Sequence, residues 1–253
     1  MLAAGAAAAS GCSRLPPAEA EPSALAPATT VSLPVPRAPV PAVPVPRVPV
    51  PVGAVTAIPG PGTSLALTVD DGADAEVVGA YIRFARDTGA RFTFFVTAAF
   101  DGWRTHRAAL RPLVESGQIQ LANHTWDHPA LTAISRTAAA EQFTRSKQFL
   151  LNTYGVDGTP FYRPPFGYRN ADIDAVAADH GYTVPTLWYG SLSDSGLITE
   201  EYLLECARTY FHAQAIVIGH ANHPPVTHVY GQLLDIIRER GLSLVTLNDV
   251  FRT

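Results

Sequence analysis

Residues Leu65 to Thr97 read LALTVDDGADAEVVGAYIRFARDTGARFTFFVT, and this stretch decides the fold class. Its ends are short apolar runs, LALTV and RFTFFVT, of the kind that forms buried strands. Between them Val77, Val78, Tyr81, Ile82 and Ala85 recur at helical spacing, so a helix with one apolar face is predicted, stopped by Gly89. Strand, helix, strand is the unit of a parallel sheet. The unit recurs to the end of the chain. Thr105 to Ser116 carries Leu110, Leu113 and Val114 on one face before Gly117. Further strands are predicted at Gln118 to Asn123, Phe161 to Pro164, Val184 to Tyr189, Ala215 to Gly219 and Leu242 to Leu247. Helices are predicted near Arg136 to Tyr154, Asn170 to His180, Thr199 to Phe211 and Val229 to Arg240, with Gly155, Gly181 and Gly241 as stops. About seven strands alternating with helices give an α/β fold, either a closed or incomplete (β/α) barrel or a doubly wound sheet. Both place function at the carboxyl ends of the strands.

Composition sets the limits around this core. The chain has 253 residues, 47% hydrophobic and 16% charged, with 18 basic and 22 acidic residues for a formal charge of −4. That is globular, excludes a disordered polyelectrolyte, and shows no basic stripe for a nucleic-acid partner. Cys12 and Cys206 cannot supply a disulfide scaffold, and Cys206 inside LLECA reads as buried and inert. Proline is uneven: 14 of the 22 copies fall between Pro16 and Pro61. The chain therefore divides into residues 1–15, 16–62 and 63–253, and the last is long enough for one domain with a sizeable core.

The first segment, LAAGAAAA ending at Ser10-Gly11-Cys12, is far shorter than the roughly 20 residues of a membrane-spanning helix. Its small-small-Cys ending resembles a bacterial lipoprotein signal in which Cys12 becomes the lipidated first residue, although no Lys or Arg precedes the run. From Leu33 to Val52 a ten-residue repeat places proline at nearly every second position. Proline fixes φ and removes the backbone donor, so an extended spacer is expected, about 3.1 Å per residue.

Polar residues fall at the predicted strand ends: Asp70 and Asp71 after the first, His124 and His128 after the third, Arg163 in the fourth, Asp194 after the fifth, His220 after the sixth. Side chains distant in the chain would thus meet on one rim. The adjacent carboxylates of Asp70-Asp71-Gly72 cannot both point the same way, so one could face a metal and the other a substrate. The plainer alternative is a helix cap at Asp71 or Asp74. His124 and His128, at i and i+4, would share one side of a helical turn, the geometry of a divalent-metal pair. With one carboxylate they form a three-ligand set with a position left for water, which suits a hydrolytic metal site. His220 could protonate a leaving group, and Arg163 could hold the base carboxylate in place.

These residues lie in four segments: Thr68-Val69-Asp70-Asp71-Gly72, His124-Thr125-Trp126-Asp127-His128-Pro129, Arg163-Pro164-Pro165-Phe166-Gly167 and Ile218-Gly219-His220. In order and spacing they resemble the motifs of the polysaccharide deacetylases, the NodB-homology domain of carbohydrate esterase family four, over residues 63 to 253. The resemblance implies a deformed (β/α) barrel that hydrolyses N-acetyl groups on a sugar polymer. It implies Asp70 as catalytic base, Asp71, His124 and His128 as ligands of a divalent ion, zinc before cobalt or nickel, Arg163 as the residue orienting Asp70, and His220 as general acid. The backbone N–H near Phe166 would stabilise the oxyanion. Ile218 and Trp126 are expected to contact substrate, and Trp103, Trp188 and Tyr189 could stack on sugars.

Two departures from the family pattern bear on the chemistry. Ser195 stands where the family has a groove-lining Trp, although Asp194 is kept and could pair with His220. His223 and His228 have no role in the pattern and read as loop or surface residues. With the spacer and Cys12, the expectation is an extracytoplasmic enzyme, lipid-anchored or secreted, acting on an envelope glycan such as peptidoglycan N-acetylglucosamine. O-deacetylation of xylan or a similar glycan, and a degenerate glycan-binding protein, are the alternatives.

Overall fold

A computed structural model describes residues 47–50 and 52–252. Cys12 and most of the proline repeat lie outside the described residues. In chain order the elements are β1 (Val48–Pro49), β2 (Ser64–Asp71), α1 (Ala75–Thr88), β3 (Phe92–Val96), α2 (Gly102–Thr105), α3 (Arg107–Glu115), β4 (Ile119–Asn123) and α4 (Arg136–Tyr154). They continue with β5 (Phe161–Tyr162), α5 (Ala171–Asp179), β6 (Val184–Pro185), β7 (Gly190–Ser191), α6 (Glu200–Tyr210), β8 (Ala215–His220), α7 (Pro225–His228), α8 (Tyr230–Glu239), β9 (Ser243–Leu244), α9 (Leu247–Val250) and β10 (Phe251–Arg252). No helix among the described residues is long and apolar enough to cross a membrane.

The helices begin and end where local chemistry dictates. Asp74, in extended backbone, accepts from the N–H groups of Glu76 (2.8 Å) and Val77 (3.2 Å) and starts α1, which Gly89 ends at φ 72°. Asp74 is therefore the cap, and Asp71 is left for another use. Ser135 and Gly155 bound α4, Asn170 caps α5 and Thr199 caps α6.

Strands β2 to β9 form one parallel sheet in the order β6-β5-β4-β3-β2-β8-β7, with β9 also beside β2. The strand predicted over Val184 to Tyr189 is instead two: β6 pairs with β5 at one edge and β7 with β8 at the other. Five residue steps link Pro185 to Gly190, at most about 18 Å, so the sheet must curl until its edges nearly meet. The result is a deformed (β/α) barrel.

The remaining gap is filled by residues expected in the linker. Val55 N donates to Pro185 O (2.9 Å), Leu187 N donates to Val55 O (2.8 Å), Ala57 bridges to Ala215, and Ile58 N donates to Gln214 O (2.8 Å). Val55 and Ile58 are 2% and 4% exposed. Together with β1, which pairs with β10, they attach Val48, Pro49, Val55, Ala57 and Ile58 to the fold, whereas the sequence reading ended the spacer at residue 62. Proline content alone hides such a segment, because an edge-filling strand needs few backbone donors.

Alternation along β2, β3 and β8 sorts their side chains into two of the three apolar clusters among the described residues. Leu65, Leu67 and Val69 face outward onto α1 and its neighbours, packed with Val78, Tyr81, Phe92, Phe94 and Trp103. Ala66, Phe95, Ala122, Phe161 and Ile216 point into the barrel, with Val55, Ile58, Val245, Val250 and Phe251. On the inward face of β2 the sequence runs Ala66, Thr68, Asp70. The interior thus changes from apolar to polar towards the carboxyl rim.

Candidate active site

Strand register brings the rim together. Asp70 lies opposite His220 on β8 and Phe95 on β3, Val96 opposite Asn123, and Asn123 opposite Tyr162. His124 and Arg163 each follow the last residue of their strand by one. Asp70, His124, Arg163 and His220, far apart in sequence, thus meet at the carboxyl rim, beside a cavity of about 620 Å³. Asp70, Asp71, His124, His128, His220, Ile218, Phe166, Trp188 and Ser195 line it.

Arg163 is fully buried and anchors the floor. It donates through Nη1 to Asp70 Oδ1 (2.5 Å) and Thr68 Oγ1 (2.9 Å), through Nε to Thr186 O (3.0 Å) and through Nη2 to Leu187 O (3.0 Å). Its guanidinium also lies 4.1 Å from the centroid of the Phe95 ring. Burial pushes this guanidinium below its ordinary pKa, and Asp70 opposes that shift. With Oδ1 occupied, Asp70 turns Oδ2 towards His124 Nε2, 3.5 Å away.

Asp71 sits beside it at φ 69°, which swings its carboxylate to the two histidines. Its Oδ1 is 3.4 Å from His124 Nε2 and 3.3 Å from His128 Nε2. The ligand atoms of a four-coordinate divalent ion, bound at about 2.0–2.2 Å, stand about 3.3–3.6 Å apart. All three donor atoms lie within 4.8 Å of one another. His124 Nδ1 is 2.7 Å from the Arg163 carbonyl, an acceptor, so Nδ1 carries the proton and the Nε2 lone pair faces the site. The residues fit a divalent ion.

The ionisation of the cluster follows from its geometry. Burial raises the Asp71 carboxyl, but His124, His128 and Asn222 outweigh it and hold Asp71 below the usual carboxylate range. Burial lowers His124, and Asp70 and Asp71 more than reverse this. His128 is lowered, by burial and by the charge of His124.

The two histidines do not share a helical turn as their spacing suggested. Residues 124–130 form a loop in which Thr125 (φ 73°) and His128 (φ 65°) are left-handed. The Thr125 hydroxyl accepts from His128 N (3.1 Å) and Asn123 Oδ1 accepts from Thr125 N (2.7 Å), and these bonds hold the turn. Left-handed backbone costs about 1–3 kcal/mol per non-glycine residue and collects at functional sites. Six such residues occur among the described residues, and five of them, Asp71, Thr125, His128, Phe166 and Ser193, border this cavity or the Asp194 pair.

Opposite the metal-type group, His220 Nδ1 is 3.0 Å from Asp194 Oδ1, and His220 N donates to Asp194 Oδ2 (3.2 Å). Burial lowers the His220 pKa, but the bond to Asp194 and the charges of Asp70, Asp194 and Asp71 bring it above the ordinary imidazole value. Phe166, at φ 60° in the turn Pro165–Gly167, is 59% exposed at the mouth, with His128 4.7 Å from its ring.

Other expectations fall elsewhere. Trp126 does not line the cavity; it packs against the outer core with Arg145 4.2 Å and Arg104 5.8 Å from its ring. Its left-handed neighbour Thr125 turns it away from the metal-type group. Trp103 is fully buried and donates from Nε1 to the Asp71 carbonyl (2.9 Å), so it braces the site and cannot stack on a sugar. Tyr189 is exposed, next to His212. His228 pairs with Glu200 on the surface (2.6 Å), and His223 is half-buried outside the cavity lining. Sequence reasoning missed Asn222, whose Nδ2 donates to Asp71 Oδ2 (2.7 Å). Only its place two residues past His220 could have marked it.

The sequence profile of the family described as "Polysaccharide deacetylase" matches residues 57–185, about half the chain. The chain belongs to the polysaccharide deacetylase family. That match ends before Asp194 and His220, which the structure adds to the same rim. The peptidoglycan-N-acetylglucosamine deacetylase PgdA of Listeria monocytogenes is 24% identical over 192 residues, covering 74% of this chain and 38% of that protein. This polysaccharide deacetylase chain thus spans well under half of that relative. Among solved structures, the Bc1960 peptidoglycan N-acetylglucosamine deacetylase superposes with TM-score 0.70 at 18% identity, over 79% of this chain and 93% of the other. A family-four pseudoenzyme from Bacillus anthracis superposes with TM-score 0.69 at 15% identity, over 79% and 69%. One fold therefore carries both deacetylases and a pseudoenzyme, and the side chains of each site must decide its activity.

Proposed function

We propose that this chain is a metal-dependent hydrolase that removes N-acetyl groups from a cell-envelope polysaccharide, with peptidoglycan N-acetylglucosamine as the preferred substrate. The observation that carries the reading is the Asp71 oxygen 3.3 and 3.4 Å from the Nε2 atoms of His128 and His124, beside an Arg163-held Asp70 and an Asp194-held His220. The family relatives support the polymer and the bond, and the named peptidoglycan deacetylases among them support the choice of glycan.

Asp71, His124 and His128 would hold a divalent ion, zinc by the nitrogen-rich donor set and cobalt or nickel as substitutes, which would supply Lewis acidity for the attacking water and the amide carbonyl. Asp70 Oδ2 takes the proton of the attacking water, because Oδ1 is committed to Arg163. The water oxygen bonds to the amide carbon and the carbonyl becomes an oxyanion, to which the Phe166 backbone N–H donates. His220, held protonated by Asp194, gives its Nε2 proton to the amide nitrogen as the carbon–nitrogen bond breaks. The products are acetate and a free amine. Ile218 and Trp188 supply the apolar wall of the cavity, with Ser195 adding a hydroxyl. The Cys12 tether and the extracytoplasmic location belong to this proposal as the setting in which such a substrate is met.

The test is acetate release from N-acetylglucosamine oligomers and peptidoglycan fragments by the metal-stripped chain, the Zn²⁺-loaded chain and a D70N variant. Metal-dependent acetate with an equal yield of amine, lost in D70N, is the expected result. Acetate without amine from acetylated xylan would replace the amide with an ester. No acetate from any substrate would turn the reading to a glycan-binding protein on the same fold.

A further inference from the structure

We infer that Asn222 is a positioning residue for the Asp71 carboxylate, and that it thereby sets how tightly Asp71, His124 and His128 hold a divalent ion. The inference rests on the metal reading of that group and adds a residue to it.

A carboxylate on a short side chain rotates over a broad torsional range, and either oxygen can present itself. In Asp71 that freedom is removed from the far side: Asn222 Nδ2 donates to Oδ2 at 2.7 Å, leaving Oδ1 towards both histidines. The Thr97 hydroxyl reaches Oδ1 only at 3.4 Å, so the amide makes the shortest hydrogen bond to this carboxylate. The direction of the amide is fixed as well. Ala73 N donates to Asn222 Oδ1 at 3.2 Å, and a flipped amide would set nitrogen against that N–H and oxygen against the carboxylate. The backbone around it is tied to the end of β2: Ala221 N donates to Asp70 O (3.0 Å) and Asp74 N to Ala221 O (3.1 Å). Asn222 is thus held by the strand end that carries the ligand it orients. A neutral amide suits the task, since a lysine or arginine in its place would neutralise Asp71 and compete with a cation.

The test uses the full chain, stripped with a chelator and titrated with Zn²⁺ against a chromophoric competitor, and separately loaded with Co²⁺ for its visible d–d spectrum. Asn222→Ala is expected to bind Zn²⁺ about 10–100-fold more weakly and to change the Co²⁺ spectrum, while the metal-free variant melts near the wild type. Asn222→Ser, too short to reach Asp71, gives the same comparison if the alanine variant does not fold. Unchanged Zn²⁺ affinity and an unchanged Co²⁺ spectrum in the variants would overturn the inference and leave the metal reading intact. Failure of the wild type itself to take up Zn²⁺ would overturn both.

Discussion

His124 and His220 both border one cavity, and each has its Nδ1 engaged, yet the structure gives the two rings different partners. His124 Nδ1 meets a neutral carbonyl, that of Arg163, and its Nε2 looks at two carboxylates. His220 Nδ1 meets the Asp194 carboxylate. A carbonyl fixes a tautomer without adding charge, which suits a neutral ligand, whereas a carboxylate stabilises the imidazolium, which suits an acid. The residue type is the same in both cases, and under the proposed function the partner at the far nitrogen separates a metal ligand from an acid.

The sharpest way to break this comparison is to delete each ring in turn. For the wild type, Zn²⁺ at a thousand times its Kd should raise stability by about 4 kcal/mol. H124A should lose that gain and all metal-dependent activity. H220A should keep the gain and lose about 10²–10⁴ in kcat, the usual worth of a positioned acid. A metal-induced rise in melting temperature that disappears equally in both variants would erase the distinction.

Next in size is the support under the ligand side. R163M leaves the Arg163 carbonyl for His124 but removes the guanidinium from a buried pair with Asp70. Breaking such a pair from one side costs about 3–5 kcal/mol, readable as a lower urea midpoint with an unchanged slope.

On the acid side, D194N should move the alkaline limb of the kcat profile to lower pH. The sign follows from His220 lying above the ordinary imidazole value: its protonated, active form persists as pH rises until that raised pKa is passed. Without Asp194 the pKa falls, so the active form is lost earlier, by about one unit for each 1.4 kcal/mol of interaction removed. An unmoved limb would detach Asp194 from the chemistry.

The smallest effect belongs to W126A. Trp126 stands on the His124–His128 loop but turns from the cavity, so KM should stay at the wild-type value. Stability should fall, with about 0.5–1 kcal/mol from each arginine contact. A raised KM would return Trp126 to the substrate side.

Legibility in the sequence followed the range of the interactions. The helix over Arg136 to Tyr154 was readable to its ends because Ser135 and Gly155 act within one turn of them. The strand ends were readable because buried runs stop at polar residues, and those residues carried the family motifs. Other features were not. The predicted strand over Val184 to Tyr189 was apolar enough to be continuous, and only barrel closure splits it between two edges. Val55 and Ile58 lay among prolines and read as spacer, since the gap they fill exists only after the sheet curls. Spacing put His124 and His128 on a helix, whereas two left-handed residues deliver them from a loop.

The sequence by itself determined the alternation of strand and helix, the family, and the identity of the side chains that crowd the carboxyl rim. Periodicity, caps and motifs are short-range properties that a chain carries before it folds. The tertiary structure alone decided which oxygen of Asp70 and of Asp71 is free, which nitrogen of each histidine faces the cavity, that Trp126 turns away, and that Asn222 joins the site. Those are questions of direction, and in parallel strands direction is fixed by register between segments up to about 150 residues apart, as Asp70 and His220 are.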